Sequence, residues 1–340
     1  MKILIDAFGG DNSPKEVIVG TVEAVNEREG FTAVLVGKKE EIENVLKDCK
    51  YDSDRIEILE ASDVITCEEE PTVAIRRKPD SSISVAFKEL KENDEARAFV
   101  SAGSTGAVLV GATLKLGRIS GVNRPALCPM MPTLKGDKKV FLLDSGANAD
   151  CKPINLLQFA LMGSAYAEAA GVKEPKVALL SNGTEDEKGN ALNHEVFPIL
   201  KQLKGINFVG NVEARDILSG EYDVVVADGF SGNVALKSLE GGIKSVLKAF
   251  KEEIYASISG KIGGLFLKKT IKRLVKRLDY SKMGGALFIG VNKTVIKAHG
   301  SSEREAFKSA VLQAVDYADF NIEDKIKEKL SANQELLEAK

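Results

Sequence analysis

Short apolar runs in this chain alternate with longer amphipathic ones, and several of the short runs are apolar on both faces. Val140-Phe141-Leu142-Leu143-Asp144 and Tyr222-Asp223-Val224-Val225-Val226-Ala227 are the clearest cases. A strand with one wet face alternates apolar and polar residues, whereas one that is apolar throughout needs cover on both sides. The pattern predicts strands over 2–6, 31–37, 55–60, 97–101, 138–143, 175–181, 206–210 and 222–227. It predicts helices over 14–28, 82–92, 104–116, 153–170, 231–256 and 302–318. Repeated strand–helix alternation implies an α/β fold with parallel strands and right-handed crossovers.

The 340 residues suit one large α/β unit or two intimately joined subdomains. No repeat, low-complexity segment or Pro/Gly/Ser linker divides the chain, so residues 1–330 are expected to form a single unit of two such subdomains. Residues 331–340 read as a polar C-terminal tail that frays. Lys251 to Leu278 breaks the rhythm, because it follows a long helix with no strand between. Residues 231–278 are therefore expected to project as a helical hairpin, its tip near Ser259-Gly260 and Gly263-Gly264.

A net charge of −3 excludes a generic polyanion binder, so any basic site must be local. Cys49, Cys67, Cys128 and Cys151 make no C-x-x-C pair and only two histidines exist, which argues against a Cys/His metal site. The cysteines read as reduced, mostly buried thiols, with a reactive thiol as the alternative. No signal-like run and no membrane-length apolar stretch is present. A cytosolic protein is expected, with contact at a membrane surface left open.

Three strand–turn–helix junctions carry Gly with Ser, Asn or Asp: Val100 to Gly106, Asp144 to Asn148, and Ala227 to Asn233. Glycine allows close backbone approach, and a helix start offers free N–H groups to an anion. In open α/β sheets the carboxyl ends of strands form the ligand crevice, where these turns would converge as an oxyanion cradle. Each junction alone is also what any tight connection needs. Asp6-Ala7-Phe8-Gly9-Gly10-Asp11 ends the first strand between carboxylates that would repel phosphate, so Asp11, Asn12 or Ser13 is expected to cap the helix at 14–28. No P-loop, no G-x-G-x-x-G after the first strand and no G-x-S-x-G elbow is present, so no nucleotide cofactor is indicated.

Arg76-Arg77-Lys78 is either a solvated run or an anion contact for phosphate or an acidic protein. His299, beside Gly300 at a strand end, is either structural or a donor to a developing oxyanion or leaving group. Residues 254–278 hold no acid and seven bases, Lys261, Lys268, Lys269, Lys272, Arg273, Lys276 and Arg277. Leu267, Ile271, Leu274 and Leu278 share one helical face, and Ile258, Ile262, Leu265 and Phe266 load the turn with apolar groups. Such an element fits a membrane interface or, alternatively, a dimer interface with solvated lysines. No aromatic platform interleaves the bases, so nucleic acid is not an expected partner.

D-A-F-G-G-D, R-R-K-P-D-S-S, S-A-G-S-T-G-A, D-S-G-A-N, G-N-V-E-A-R-D, D-G-F-S-G-N and H-G-S-S occur in the order seen in PlsX-type phosphate acyltransferases, which the chain resembles from residue 1 to about 318. Phe8 stands where that family usually has Met, and Ser104 where it has Asn. The resemblance implies a layered sheet similar to phosphotransacetylase and isopropylmalate dehydrogenase. It implies transfer of a long-chain acyl group from acyl carrier protein to inorganic phosphate, with no cofactor or metal. The acyl phosphate would feed a membrane glycerol-phosphate acyltransferase. A homodimer, cytoplasmic and peripherally associated with the inner face of the cell membrane, is expected.

Phosphate is already an anion and a thiol with pKa near ~8.5 leaves readily. The reaction thus asks mainly for two reactants held together and a stabilised oxyanion. Phosphate and oxyanion contacts are assigned to Ser101, Gly103, Ser104, Thr105 and Gly106, with Asn148, Asn182, Gly229, Gly232 and Asn233 nearby and Arg76 and Arg77 as further anion contacts. His299 is the candidate proton donor or orienter, and Asp144 and Asp228 are expected to position donors. Ile258, Ile262, Leu265, Phe266, Lys268, Lys269, Lys272 and Arg273 are the candidate membrane contacts. The rivals are a phosphotransacetylase-like enzyme using coenzyme A, an isopropylmalate-type dehydrogenase and a non-catalytic peripheral membrane scaffold.

Overall fold

A computed structural model describes residues 1–136, 138–278, 284–318, 320 and 322–338, with side chains of 275–278 outside the description. The strands are β1 (Lys2–Asp6), β2 (Thr32–Gly37), β3 (Ile56–Glu60), β4 (Ala96–Ser101), β5 (Ala126–Cys128), β6 (Met130–Pro132), β7 (Lys139–Leu143), β8 (Lys176–Ser181), β9 (Asn207–Glu213), β10 (Val224–Val226), β11 (Ala286–Ile289) and β12 (Thr294–Lys297). They form two sheets, one of seven strands ordered β3-β2-β1-β4-β12-β11-β5 and one of five ordered β6-β7-β10-β8-β9.

Parallel pairing holds among β1, β2, β3, β4 and β12 and among β7, β8, β9 and β10. The expectation of parallel strands fails for β5, β6 and β11, which pair antiparallel. The short links β6–β7 and β11–β12 leave no room for a crossover, so the chain can only double back. β5 and β6 are two pieces of one extended segment on either side of Pro129, each at the edge of a different sheet. That segment joins the sheets, and Leu142 N–H donates to Pro129 O across the seam (3.2 Å).

Helices cover both sheets, which satisfies strands as apolar as Val140–Leu143 and Val224–Val226, all fully or almost fully buried. The helix Pro153–Ala169 is apolar nearly all round and packs on β7, β8 and β10 and on helices Ala191–Leu200 and Ile322–Ala332. Burying one such side chain, Leu157 for example, contributes roughly 1.5–3 kcal/mol. Helix Lys15–Glu27 pairs with Arg304–Ala318, and the Arg304 guanidinium grips the Glu16 carboxylate through two bonds of 2.7 and 2.8 Å.

Asp11, Asn12 and Ser13 do not cap Lys15–Glu27. Asn12 donates instead to the carbonyls of Ser301 and Ser302, and Ser13 to those of Phe8 and Gly10, tying this loop to the one that follows β12. Residues 334–338, in the segment read as a fraying tail, are helical, and Leu337 packs on the core; Ala339 and Lys340 lie outside the described residues.

Two helices, Gly229–Ala256 and Ile258–Leu278, form an arm. Its turn is at Ser257, before the expected tip, because extended Ser257 accepts the N–H of Gly260 (2.9 Å) and so starts the second helix. Gly260 permits the tight turn, since a Cβ there would meet Ile254 O at 2.4 Å. Beyond Glu240 the arm is largely exposed, with Ile258 79%, Leu265 71% and Phe266 83% accessible. The side chains of Lys276, Arg277 and Leu278 lie outside the described residues. No helix among the described residues is long and apolar enough to cross a membrane.

Candidate active site

The loops after β4, β7, β10 and β12 meet where the two sheets join. A cavity of about 360 Å³ opens there. Thr105, Ser145, Gly146, Asn233, Lys237, Glu240, Lys297 and His299 supply its polar lining, and Leu127, Pro129, Met130 and Met131 of the joining segment supply an apolar wall. Residues nearly two hundred positions apart thus reach one pocket at the carboxyl rim, as expected of parallel strands.

Asp144 builds one side. Its peptide follows β7 into the interior, and the buried carboxylate accepts from Leu127, Gly146, Ala147 and Asn148 N–H and from the Asn148 amide, at 2.7–3.2 Å. Burial pushes this carboxyl above its usual range while those bonds pull the other way. With its oxygens filled, Asp144 shapes the loop rather than touching a ligand. Asn148 is spent as well, donating to Asp144 and to Pro125 O (2.7 Å).

The first arm helix rests directly on that loop. Gly229 N–H donates to Asn148 O (2.9 Å), and a Cβ at Gly232 would fall 1.9 Å from Asp144 O. These glycines therefore serve chain-to-chain approach. Asp228 caps the helix by accepting from Ser231 N–H (2.8 Å). Asn233 is left exposed at the cavity over Gly146, its amide without a protein hydrogen bond among the described residues.

The opposite side rests on Asp6, which is buried and accepts from Ser101 Oγ (2.6 Å) and Phe8 N–H (3.3 Å). Ser101 Oγ in turn accepts from Gly103 N–H (2.9 Å). Gly9 crosses this pair so closely that a Cβ would meet Asp6 Oδ2 at 2.4 Å. Ser104 caps its helix through Ala107 N–H, the role an Asn would fill equally, and Gly106 makes room for Pro71. Of the loop Ser101–Gly106 only Thr105 lines the cavity.

His299 lines the rim. Ser301 N–H donates to its Nδ1 (3.2 Å), so the neutral ring carries its proton on Nε2. Burial and the nearby Lys237 hold its pKa below the usual value, so the ring is neutral at pH 7. Asn182 and Asp228 lie elsewhere, in a neighbouring groove of about 660 Å³ across the arm helix, with exposed Phe230 and Val234. Arg76 and Arg77 are exposed at the end of helix Pro71–Arg77 and line none of the described cavities.

Cys128 is buried, Cys49 and Cys151 half-buried and Cys67 exposed. Burial pushes the Cys151 thiol up to about 11 and Cys128 well above its ordinary value, so neither offers a thiolate at neutral pH.

Lys297 lies outside every motif of the sequence. Between Ile296 and Ala298 it reads as the end of a strand, yet it is only 8% exposed and lines the cavity. Its ammonium donates to the carbonyls of Ala102 (3.1 Å) and Ala298. A lysine in a strand that is otherwise apolar was the one available signal.

The fold is that of the phosphotransacetylases: the chain aligns with a phosphotransacetylase from Streptococcus pyogenes at TM-score 0.62 and 16% identity over 94% of each chain. Sequence identity is far higher with two curated proteins named phosphate acyltransferase. It is 47% with that of Clostridium tetani, over 97% of this chain and 98% of the relative. It is 48% with that of Clostridium novyi, over 96% and 98%. The chain belongs to the fatty acid synthesis protein family, which matches residues 1–325, and it is an acyltransferase.

Proposed function

We propose that this acyltransferase moves a long-chain acyl group from the thioester of acyl carrier protein to inorganic phosphate, giving an acyl phosphate for phospholipid synthesis. One observation carries the reading: Thr105, Asn233 and His299, from three distant loops, face a single cavity sized for a small anion and a carbonyl. Phosphate oxygen attacks the thioester carbon, the tetrahedral oxyanion collapses, the C–S bond breaks and the thiolate leaves. Asn233 and the Nε2–H of His299 hydrogen-bond the developing oxyanion, and Thr105 holds phosphate. Asp144, Ser101, Gly229 and Gly232 keep those donors in place. The neighbouring groove, with its apolar wall and with Asn182 and Asp228 at its edge, takes the carrier's thioester arm.

The test uses pure protein, long-chain acyl thioesters and inorganic phosphate. Loss of thioester should require phosphate and be faster with acyl carrier protein than with coenzyme A. Preference for coenzyme A would assign the phosphotransacetylase reaction instead, and no phosphate dependence would end the reading. Asn233→Ala should lower turnover about 100-fold, the usual effect of losing one oxyanion donor, and leave the melting temperature within a degree or two. Parallel losses of activity and stability would make Asn233 structural.

The arm supports peripheral contact with the inner face of the membrane, where a glycerol-phosphate acyltransferase would take the product. Ile258, Ile262, Leu265 and Phe266 are all more than half exposed beside Lys268, Lys269, Lys272 and Arg273. Neutralising Lys268 and Lys272 to Gln should weaken binding to anionic vesicles by about 2 kcal/mol, near 1 per base, or about 30-fold. Unchanged co-sedimentation would instead favour the other use of an apolar arm, the homodimer interface. A homodimer is part of the proposal, and light scattering on the arm variants tests it.

A further inference from the structure

A charged amine is seldom buried without a carboxylate partner, because desolvation costs more than carbonyl hydrogen bonds return. Lys297 is such a case: it is 8% exposed, and no carboxylate lies within ion-pair distance among the described residues. Two of its three donors are taken by the carbonyls of Ala102 and Ala298, at the ends of β4 and β12. One donor is unspent, and the residue lines the cavity with Thr105, Asn233 and His299. The buried Asp6, whose carboxylate accepts from Ser101 and Phe8, favours the charge of Lys297 without forming an ion pair with it. The arrangement is a buried cation lining a pocket, held by backbone carbonyls and without a side-chain ion pair among the described residues.

We propose that Lys297 is the anion anchor of this cavity, holding a tetrahedral dianion such as inorganic phosphate through its third N–H and its charge. The proposal deepens the acyl-transfer reading and rests on its placement of phosphate in this pocket. With the anchor below and Asn233 and His299 at the rim, the anion is fixed with one oxygen free to attack. The two lysines also divide the work. Lys237 is exposed and paired with Glu240 (2.9 Å), so it adds a screened charge, whereas Lys297 is buried and its charge is less screened.

The groups acting on Lys297 include Cys67, Asp6 and Asp11, which favour its charge, and Lys237, which opposes it; His299, neutral at pH 7, and Glu240, paired with Lys237, share the cavity. Burial outweighs them and lowers the amine to about 8. The sign follows directly: below pH 8 the anchor is charged and binds, and as pH rises through 8 the free amine loses the anion. Phosphate itself titrates near neutrality, so sulfate, whose charge stays constant, is the cleaner probe.

Calorimetry on the full chain, without thioester, measures phosphate and sulfate binding. Lys297→Met should weaken both at least tenfold at pH 7, and wild-type sulfate affinity should fall about tenfold between pH 7 and pH 9. The variant's sulfate binding should be flat over that range. The wild-type pH series needs no mutant, so it stands even if Lys297→Met folds poorly. Equal binding by Lys297→Met, a pH-independent wild type, or no anion binding by wild type would each overturn the proposal. Lys297-dependent phosphate binding without phosphate-dependent thioester loss would keep the anchor and discard the acyl-transfer reading.

Discussion

Asp144→Ala is expected to destabilise the protein by about 4–5 kcal/mol, roughly a 6 °C fall in melting temperature, and to abolish turnover with it. The carboxylate accepts five hydrogen bonds from donors that have few alternatives. Each buried donor left unsatisfied costs about 1–3 kcal/mol, less where water can follow, which sets the range. Asp144→Asn should be nearly as harmful despite its shape, because its NH2 would face N–H groups that need an acceptor. The loop it holds presents Ser145 and Gly146 to the cavity and supports the arm helix that carries Asn233. Thermal melts and phosphate-dependent turnover on both variants check this. A variant that melts like wild type yet is inactive would sink the scaffold role and put Asp144 in direct contact with substrate.

The large elements were legible in the sequence because their burial wrote a pattern. β1, β2, β3 and β7 and the helix Ser82–Glu92 fall within a residue or two of their predicted bounds. β5, β6 and β11 were not legible: they are three or four residues long, and Pro129 and Pro132 end β5 and β6. The helix Ala191–Leu200 hides behind Pro198 and a polar start. The convergence of loops on one rim followed from parallel strands, but the duties inside each loop did not. Glycine signals close approach without saying to what, and Gly103, Gly106, Gly229 and Gly232 approach other parts of the chain. Ser101 and Asn148 likewise read as donors and turn out to be occupied. Lys297 shows the converse: its place at the end of a mostly apolar strand is the one local hint, and that does not tell a lysine buried by tertiary packing from one that reaches solvent.

Gly232→Ala should cost about 3 kcal/mol and about 100-fold in turnover, although alanine is the better helix former. The new Cβ would stand 1.9 Å from the Asp144 carbonyl oxygen, a main-chain atom of the loop after β7. Relief requires the first turn of the arm helix to lift from the loop, carrying the adjacent Asn233 off the cavity. Gly242, on the same helix, has nothing within 4 Å of its Cβ position. Gly242→Ala should therefore stabilise by about 0.5–1 kcal/mol and leave turnover unchanged. The pair separates helix propensity from contact, because both changes are chemically identical and differ only in what the methyl meets. If the two variants melt and turn over alike, the helix start is free to yield, and the close seat of the arm on the Asp144 loop is not what holds Asn233 at the site.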